Sequence, residues 1–286
     1  MTKWRGRLIW LGILFLLWLL CSGLATREAS GAPLARLTER LANYPNWQDK
    51  PPVQAAYGDL VYPDWFAGNW TVTTILTDMQ APLAPALVTP GFESNRQFLN
   101  QPIAFKVRFI QTKPNSLPDR LSFLLKLPLV KPASEIQLVS DRAYNGLQLA
   151  EAYLGESAVQ DVKVDPENPN RQITLLKGGR QLVSTVVGRA TESPQPDQFL
   201  TSELFRQEFR GAPQVYFNQV ENTTAYTRIE DANATDQPAI TADQVTAIFL
   251  SPQDPDYFKS LSSDNPLSAP RPVALYRYRM EFRRDS

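Results

Sequence analysis

Apolar and polar residues alternate with a period of two in segment after segment of this chain, which commits most of it to half-buried β-strands. Trp70, Val72, Thr74 and Leu76 alternate with Thr71, Thr73, Ile75 and Thr77, in a run rich in the β-branched residues that suit a pleated surface. Phe105, Val107 and Phe109 alternate with Lys106 and Arg108. The same pattern predicts strands at Val159–Val164, Ile173–Leu176, Gln181–Val187, Val215–Arg228, Val245–Leu250 and Val273–Arg283. Gly178-Gly179 is a hairpin signal between two of these, because glycine accepts the positive φ angles of a type I′ turn. The stretch Ala81–Asn100, with Pro82, Pro85, Pro90 and Gly91, is a long irregular connection, and Gln198–Arg210 suits a helix or a strand.

Two helical segments break the pattern. Leu34, Leu37 and Leu41 recur at helical spacing, and Ser140 can cap a helix over residues 141–154 with Ala143, Leu147, Ala150 and Leu154 on one face and Gly155 at its end. Gly146 inside that helix costs about 1 kcal/mol relative to alanine, so close packing is expected there.

The first residues have the layout of an export signal. Lys3, Arg5 and Arg7 precede an apolar run from Leu8 to Leu20, followed by small residues. Such a run is shorter than the roughly 20 residues of a spanning helix and matches an h-region. Cleavage is expected after Ala25, with Gly23 at −3, which leaves 261 of 286 residues as one domain, 26–286. An uncleaved anchor over residues 8–25 and lipidation at Cys21 are the alternatives, the latter disfavoured by the bulky Leu20.

Composition narrows the chemistry. The full chain balances 29 basic against 29 acidic residues, and loss of residues 1–25 leaves a small acidic excess, which gives no electrostatic reason to bind nucleic acid. The chain has no histidine, and its one cysteine lies in the leader. Ser-His-Asp and Cys-His catalysis are thereby excluded, as are the usual zinc and copper ligands. No serine after residue 25 has a lysine three positions on, and no Gly-rich nucleotide loop or EF-hand is present. A non-enzymatic protein with no metal and no cofactor is the expectation.

The phrase Tyr62-Pro63-Asp64-Trp65-Phe66-Ala67-Gly68-Asn69-Trp70 ends in F-x-G-x-W leading into a strand, and it resembles the opening signature of the lipocalins and the wider calycin group. The resemblance implies an antiparallel barrel closed at the Gly68/Trp70 end, with an arginine of the last strand, Arg279 or Arg283, packed across Trp70. It covers only the two ends of the chain, and the segments near 81–100, 139–155 and 190–212 would be insertions. The phrases VTPGFESNRQF, DRAYNGLQLAEAYLG and NPNRQITLL are similar to a group of exported cyanobacterial and plastid proteins. That similarity implies a periplasmic or thylakoid-lumenal address and no activity.

Arg96, Arg142 and Arg171 each stand beside a turn or cap residue and are the candidate ligand-binding side chains, through the planar fork that suits carboxylate or phosphate. The plainer reading is that they tie loops together. Asp161, Asp165 and Glu167 offer oxygens to a cation, yet a strand end and a turn account for them; Asp254 and Asp256 also read as turn formers. Asn69, Asn222 and Asn233 lie in N-x-S/T sequons.

The expectation is therefore a mainly β, antiparallel lipocalin-like barrel with one or two helices and long loop insertions. It would be exported and would hold a small apolar or amphipathic ligand such as a pigment, isoprenoid or lipid, with Thr74, Ala104, Ser184 and Thr224 as inward residues small enough to leave room. The alternative is an interaction or assembly factor for a membrane complex in the same compartment. N-terminal sequencing of the protein from its native source is expected to begin at Thr26; a chain that begins at Thr2, or retains the Leu8–Leu20 run, establishes the anchored form instead.

Overall fold

Nearly every alternating segment is a strand in the computed structural model, which describes residues 37–87, 89, 91–113, 136–211, 215–229, 237–261 and 269–285. The proposed leader, residues 1–25, lies outside the described residues, as do Leu34 and Asn233. Among the described residues no helix is long and apolar enough to cross a membrane.

A short helix α1 (Leu37–Ala42) and strand β1 (Gln54–Ala55) precede β2 (Gly68–Gln80), β3 (Pro102–Thr112) and β4 (Gln137–Ser140). Helix α2 (Arg142–Leu154) follows, and then seven strands in a row: β5 (Val159–Asp165), β6 (Asn168–Leu176), β7 (Arg180–Glu192), β8 (Gln198–Arg210), β9 (Tyr216–Arg228), β10 (Ile240–Leu250) and β11 (Ala274–Arg284). All pair antiparallel in the order β4-β3-β2-β11-β10-β9-β8-β7-β6-β5, with β1 alongside β7. The fold is thus mainly β, an antiparallel sheet curled into a half-barrel, compatible with a calycin-like fold.

The first long strand, β2, pairs with the last, β11, from Leu275 opposite Gln80 to Arg284 opposite Trp70, with a register shift between Arg277 and Tyr278. Gly178 and Gly179 take φ of 77° and 71° between β6 and β7, the left-handed values that favour glycine. Gln198–Arg210 is a strand, so the region expected as an insertion near 190–212 is instead part of the wall. β4 was not anticipated: four residues show too little alternation to be told from a loop.

Trp70 is fully buried at the closed end, among Phe66, Phe109, Ile240 and Phe282, and its indole N–H donates to the Phe66 carbonyl at 2.7 Å. The arginine across its ring is Arg284, with the guanidinium carbon 4.5 Å from the centroid. Arg279 and Arg283, the expected partners, instead flank Glu281 on the opposite face, at 3.2 and 2.7 Å. The reason is parity: Tyr276, Met280 and Phe282 point inward, so a residue stacked on the inward Trp70 must share their even spacing, which Arg284 does. Gly68 opens β2 at a φ of 107°, and Arg284 donates to the neighbouring Ala67 carbonyl at 3.4 Å.

A second apolar cluster lies on the outer face, where Leu37, Leu41 and Trp47 cover Leu200, Val245, Phe249 and Leu275. Glu221 is buried beneath this cover with no exposed surface. Arg40 meets it with two bonds, Nε to Oε1 at 2.5 Å and Nη2 to Oε2 at 2.6 Å, and Thr223 donates to it at 2.6 Å. The Arg40 guanidinium also stacks on Trp47 at 4.0 Å. Burial pushes the Glu221 carboxyl up, with Arg40 and then Thr223 opposing.

A buried ion pair contributes little net stability, whereas loss of one partner strands a charge at a cost of about 3–5 kcal/mol. A carboxyl held above its ordinary value binds its proton more tightly in the folded state. Its contribution is therefore complete below the ordinary carboxylate range and is lost as pH rises through the folded value. Arg40→Met is expected to lose about 3–5 kcal/mol at pH 8 and markedly less at pH 5 in urea unfolding, with most of the loss recovered in Arg40→Met/Glu221→Leu. Equal losses at the two pH values refute the stranded-charge account.

Candidate functional site: a cavity between sheet and helix

The half-barrel leaves a gap between β3 and β5, and α2 spans it, packed against β3 on one side and β5 and β6 on the other. Strand edges need partners for their N–H and C=O groups, and β4 pairs with β3 only over Phe109–Thr112. At Arg108 a side chain takes over. The Asn145 amide accepts from the Arg108 N–H at 2.8 Å and donates to the Arg108 carbonyl at 3.1 Å, which imitates a paired strand. Asp141, and not Ser140, is the N-cap: its carboxylate accepts from the Tyr144 N–H at 3.1 Å and pairs with Arg108 at 2.6 Å. On the other side Gly146 lets the helix lie directly on Gln172 of β6, whose amide nitrogen would stand 2.6 Å from an added Cβ.

Behind the helix lies a cavity of about 820 Å3, within the 300–1,000 Å3 range of small-ligand sites. The helix presents Arg142, Asn145, Gly146, Leu149, Ala150 and Tyr153 to it, a stripe at i, i+3, i+4, i+7, i+8 and i+11. This differs from the face expected through Ala143 and Leu147. No residue of α2 is fully buried, which fits a helix facing open space instead of a packed core.

The sheet side is apolar and aromatic, with Phe105, Phe205, Val220, Tyr278 and Phe282, crossed by a polar stripe. That stripe satisfies itself. Gln207 donates to Ser184 at 3.4 Å, and Thr224, Gln244, Thr246 and Asn222 form a chain with distances of 3.1, 3.2 and 2.7 Å. Of the inward residues expected, Thr74 and Ser184 line the cavity and Thr224 joins the chain, whereas Ala104 is exposed because its neighbours Phe105 and Val107 take the inward positions. The sequon at Asn222 faces the interior, where no modifying enzyme reaches.

Charge collects at one pole, near the closed end. Arg189 holds Glu203 with two bonds of 2.7 and 2.9 Å and donates to Asn170 at 2.9 Å. Arg142 reaches the same Glu203 oxygen only at 3.8 Å, and its Nε is buried without a hydrogen-bond partner. Asp59 completes the group; burial pushes its carboxyl up, with Arg142 and Arg189 opposing. Two tyrosines stand beside this pole. Burial drives the Tyr62 hydroxyl well up and that of Tyr226 to about 12, so both are neutral donors. The opposite end is apolar, with Leu154, Leu176, Leu182 and Phe209 at helix and strand ends.

The three candidate arginines therefore separate. Arg142 is in the cavity, Arg96 is exposed and paired with Glu93 at 3.0 Å, and Arg171 ties the β5–β6 hairpin through Asp165 at 3.3 Å. Glu203 and Arg189, which complete the polar pole, carried no motif. The acidic residues 161–167 serve as turn and pair formers, with the Asp165 carboxylate accepting from the Glu167 N–H at 3.0 Å and Asp161 beside Lys163. Asp254 likewise accepts from the Asp256 N–H at 2.9 Å. Among the described residues no group of three or more acidic or sulfur side chains is placed to hold a metal.

The family model described as "Domain of unknown function (DUF6816)" matches residues 54–286. The chain belongs to this family. Neither the curated proteins nor the solved structures yield a match. The matched span begins at β1 and takes in the half-barrel, α2 and the residues that line the cavity.

Asn145→Leu is expected to lower stability by about 1–3 kcal/mol, since it leaves the Arg108 N–H without a partner, while the Arg108 carbonyl keeps the Asp141 N–H. Hydrogen exchange checks the cause: the Arg108 amide is expected to lose protection before the neighbouring strands do.

Proposed function

We propose that this protein is an exported, non-enzymatic carrier or holder of one elongated amphipathic small molecule, of the size of a pigment, isoprenoid or lipid. The observation that carries the reading is the cavity itself: about 820 Å3 with a largely apolar, aromatic wall, a polar stripe bonded within itself and one charged pole. Burial of apolar surface at about 25 cal/mol/Å2 supplies the affinity, and a few fixed polar groups supply the orientation. A ligand enters from the end carrying Leu154 and Phe209, and its polar end comes to rest near Arg142 and the two tyrosines.

The lipocalin-like signature at Gly68 and Trp70 supports the same reading, since the closed end is sealed by aromatic packing while the interior is left unfilled. The export pattern of residues 1–25, and the similarity of several phrases to exported cyanobacterial and plastid proteins, favour the periplasm or thylakoid lumen as the place of work. An assembly role in a membrane complex is the reading that remains if the cavity proves empty in the cell.

Protein purified from its native source is expected to carry a small molecule near one per chain, seen by mass spectrometry and, for a pigment, by absorption. Ser184→Phe, which projects a ring into the cavity, is expected to lose that molecule while it keeps the wild-type circular dichroism. Native protein without any bound molecule, together with failure to bind neutral apolar fluorophores, refutes the proposal.

A further inference from the structure

Among the described residues of the cavity lining, the Arg142 guanidinium stands without a hydrogen bond and meets Glu203 only at 3.8 Å. The polar stripe on β7–β10 is internally paired, and Arg189 spends its guanidinium on Glu203, Asn170 and the Gly58 carbonyl. Among the described residues the only buried polar side-chain atom of the cavity lining without a partner is Arg142 Nε. A buried donor left unmade is costly, and because Nε itself has no accessible surface a ligand meets this guanidinium through its Nη groups. The Arg142 side chain keeps only 15 % of its surface accessible, which leaves bulk water a poor substitute.

The charges around it decide what that ligand carries. Arg142 and Arg189 face Glu203 and Asp59, two cations against two carboxylates, so the pole is already neutral. A further carboxylate brought to this guanidinium would stand beside Glu203 in a desolvated site, where like charges repel strongly. A neutral acceptor satisfies the guanidinium and adds no charge.

We infer that the Arg142 guanidinium donates to an uncharged carbonyl oxygen at the polar end of the ligand, so that the cavity selects apolar ketones, aldehydes or esters over free fatty acids. This rests on the ligand-holding reading above and names its ligand class. The carbonyl end lies deep, at the N-terminus of α2, and the hydrocarbon runs along the Asn145–Gly146–Leu149–Tyr153 stripe towards the apolar end.

Three probes of matched length test it: tridecane, 2-tridecanone and dodecanoic acid, each titrated at pH 7.5 against protein loaded with the neutral fluorophore N-phenyl-1-naphthylamine. The ketone is expected to displace the fluorophore at about tenfold lower concentration than either the hydrocarbon or the acid. Arg142→Met is expected to abolish that preference, so that ketone and hydrocarbon displace the fluorophore at similar concentrations. If Arg142→Met does not fold, the ranking with the wild-type chain and with Arg142→Gln carries the test. Binding of tridecane with no advantage for the ketone, or an acid that equals or exceeds it, overturns this inference and leaves the cavity reading standing. Failure of the fluorophore and all three probes to bind overturns both.

Discussion

A sheet that curls without closing has two raw edges, and the structure depends on the helix that covers the gap between them. α2 lies in the gap as a substitute strand, with Asn145 offering β3 the donor and acceptor that a neighbouring backbone would offer. Gly146 brings the helix axis down onto Gln172 on the other side, and the Asp141–Arg108 pair fixes its first turn. Were the gap filled by another strand, the interior would narrow and pack like the Trp70 end. A helix stands further from the opposite wall, and the space it leaves is the cavity.

The two faces of the sheet solve opposite problems with related chemistry. On the outside, Glu221 is fully buried and fully paired, so the N-terminal helix is keyed to one position on the barrel. On the inside, the ionic group at the closed pole is balanced in charge but not in hydrogen bonds, because Arg189 outcompetes Arg142 for Glu203. The first arrangement specifies structure. The second leaves a directed donor at the end of an apolar chamber, which is what a site needs to orient a molecule that otherwise binds through non-directional burial.

Much of the wall was legible because alternation is a local signal: β2, β7, β9, β10 and β11 announce themselves in Thr, Val, Tyr and Phe. The β2–β11 pairing followed from the signature at Trp70. Its arginine was misplaced for want of a parity argument, since Arg279 and Arg283 share the spacing of the outward residues and Arg284 that of the inward ones. Arg142 was indistinguishable from Arg96 and Arg171 as a residue beside a turn. What separates it is long-range: the contact of its helix with strands on both sides, and the competition of Arg189 for Glu203. A second signal was present in the sequence, the mixed stripe from Arg142 to Tyr153, which is too polar at one end and too small in the middle to be an ordinary core face.

A wall built from a helix also changes how the site can drift over generations. Each strand residue of the chamber is held in a ladder, so a change that disturbs its neighbours risks register along the whole sheet. The stripe on α2 carries its own backbone hydrogen bonds and meets the sheet edges chiefly through Asn145 and Gly146. Leu149, Ala150 and Tyr153 are therefore free to exchange size and shape at little risk to the frame. Diversity in what related chains hold should concentrate in one turn and a half of helix, with the barrel around it kept almost constant.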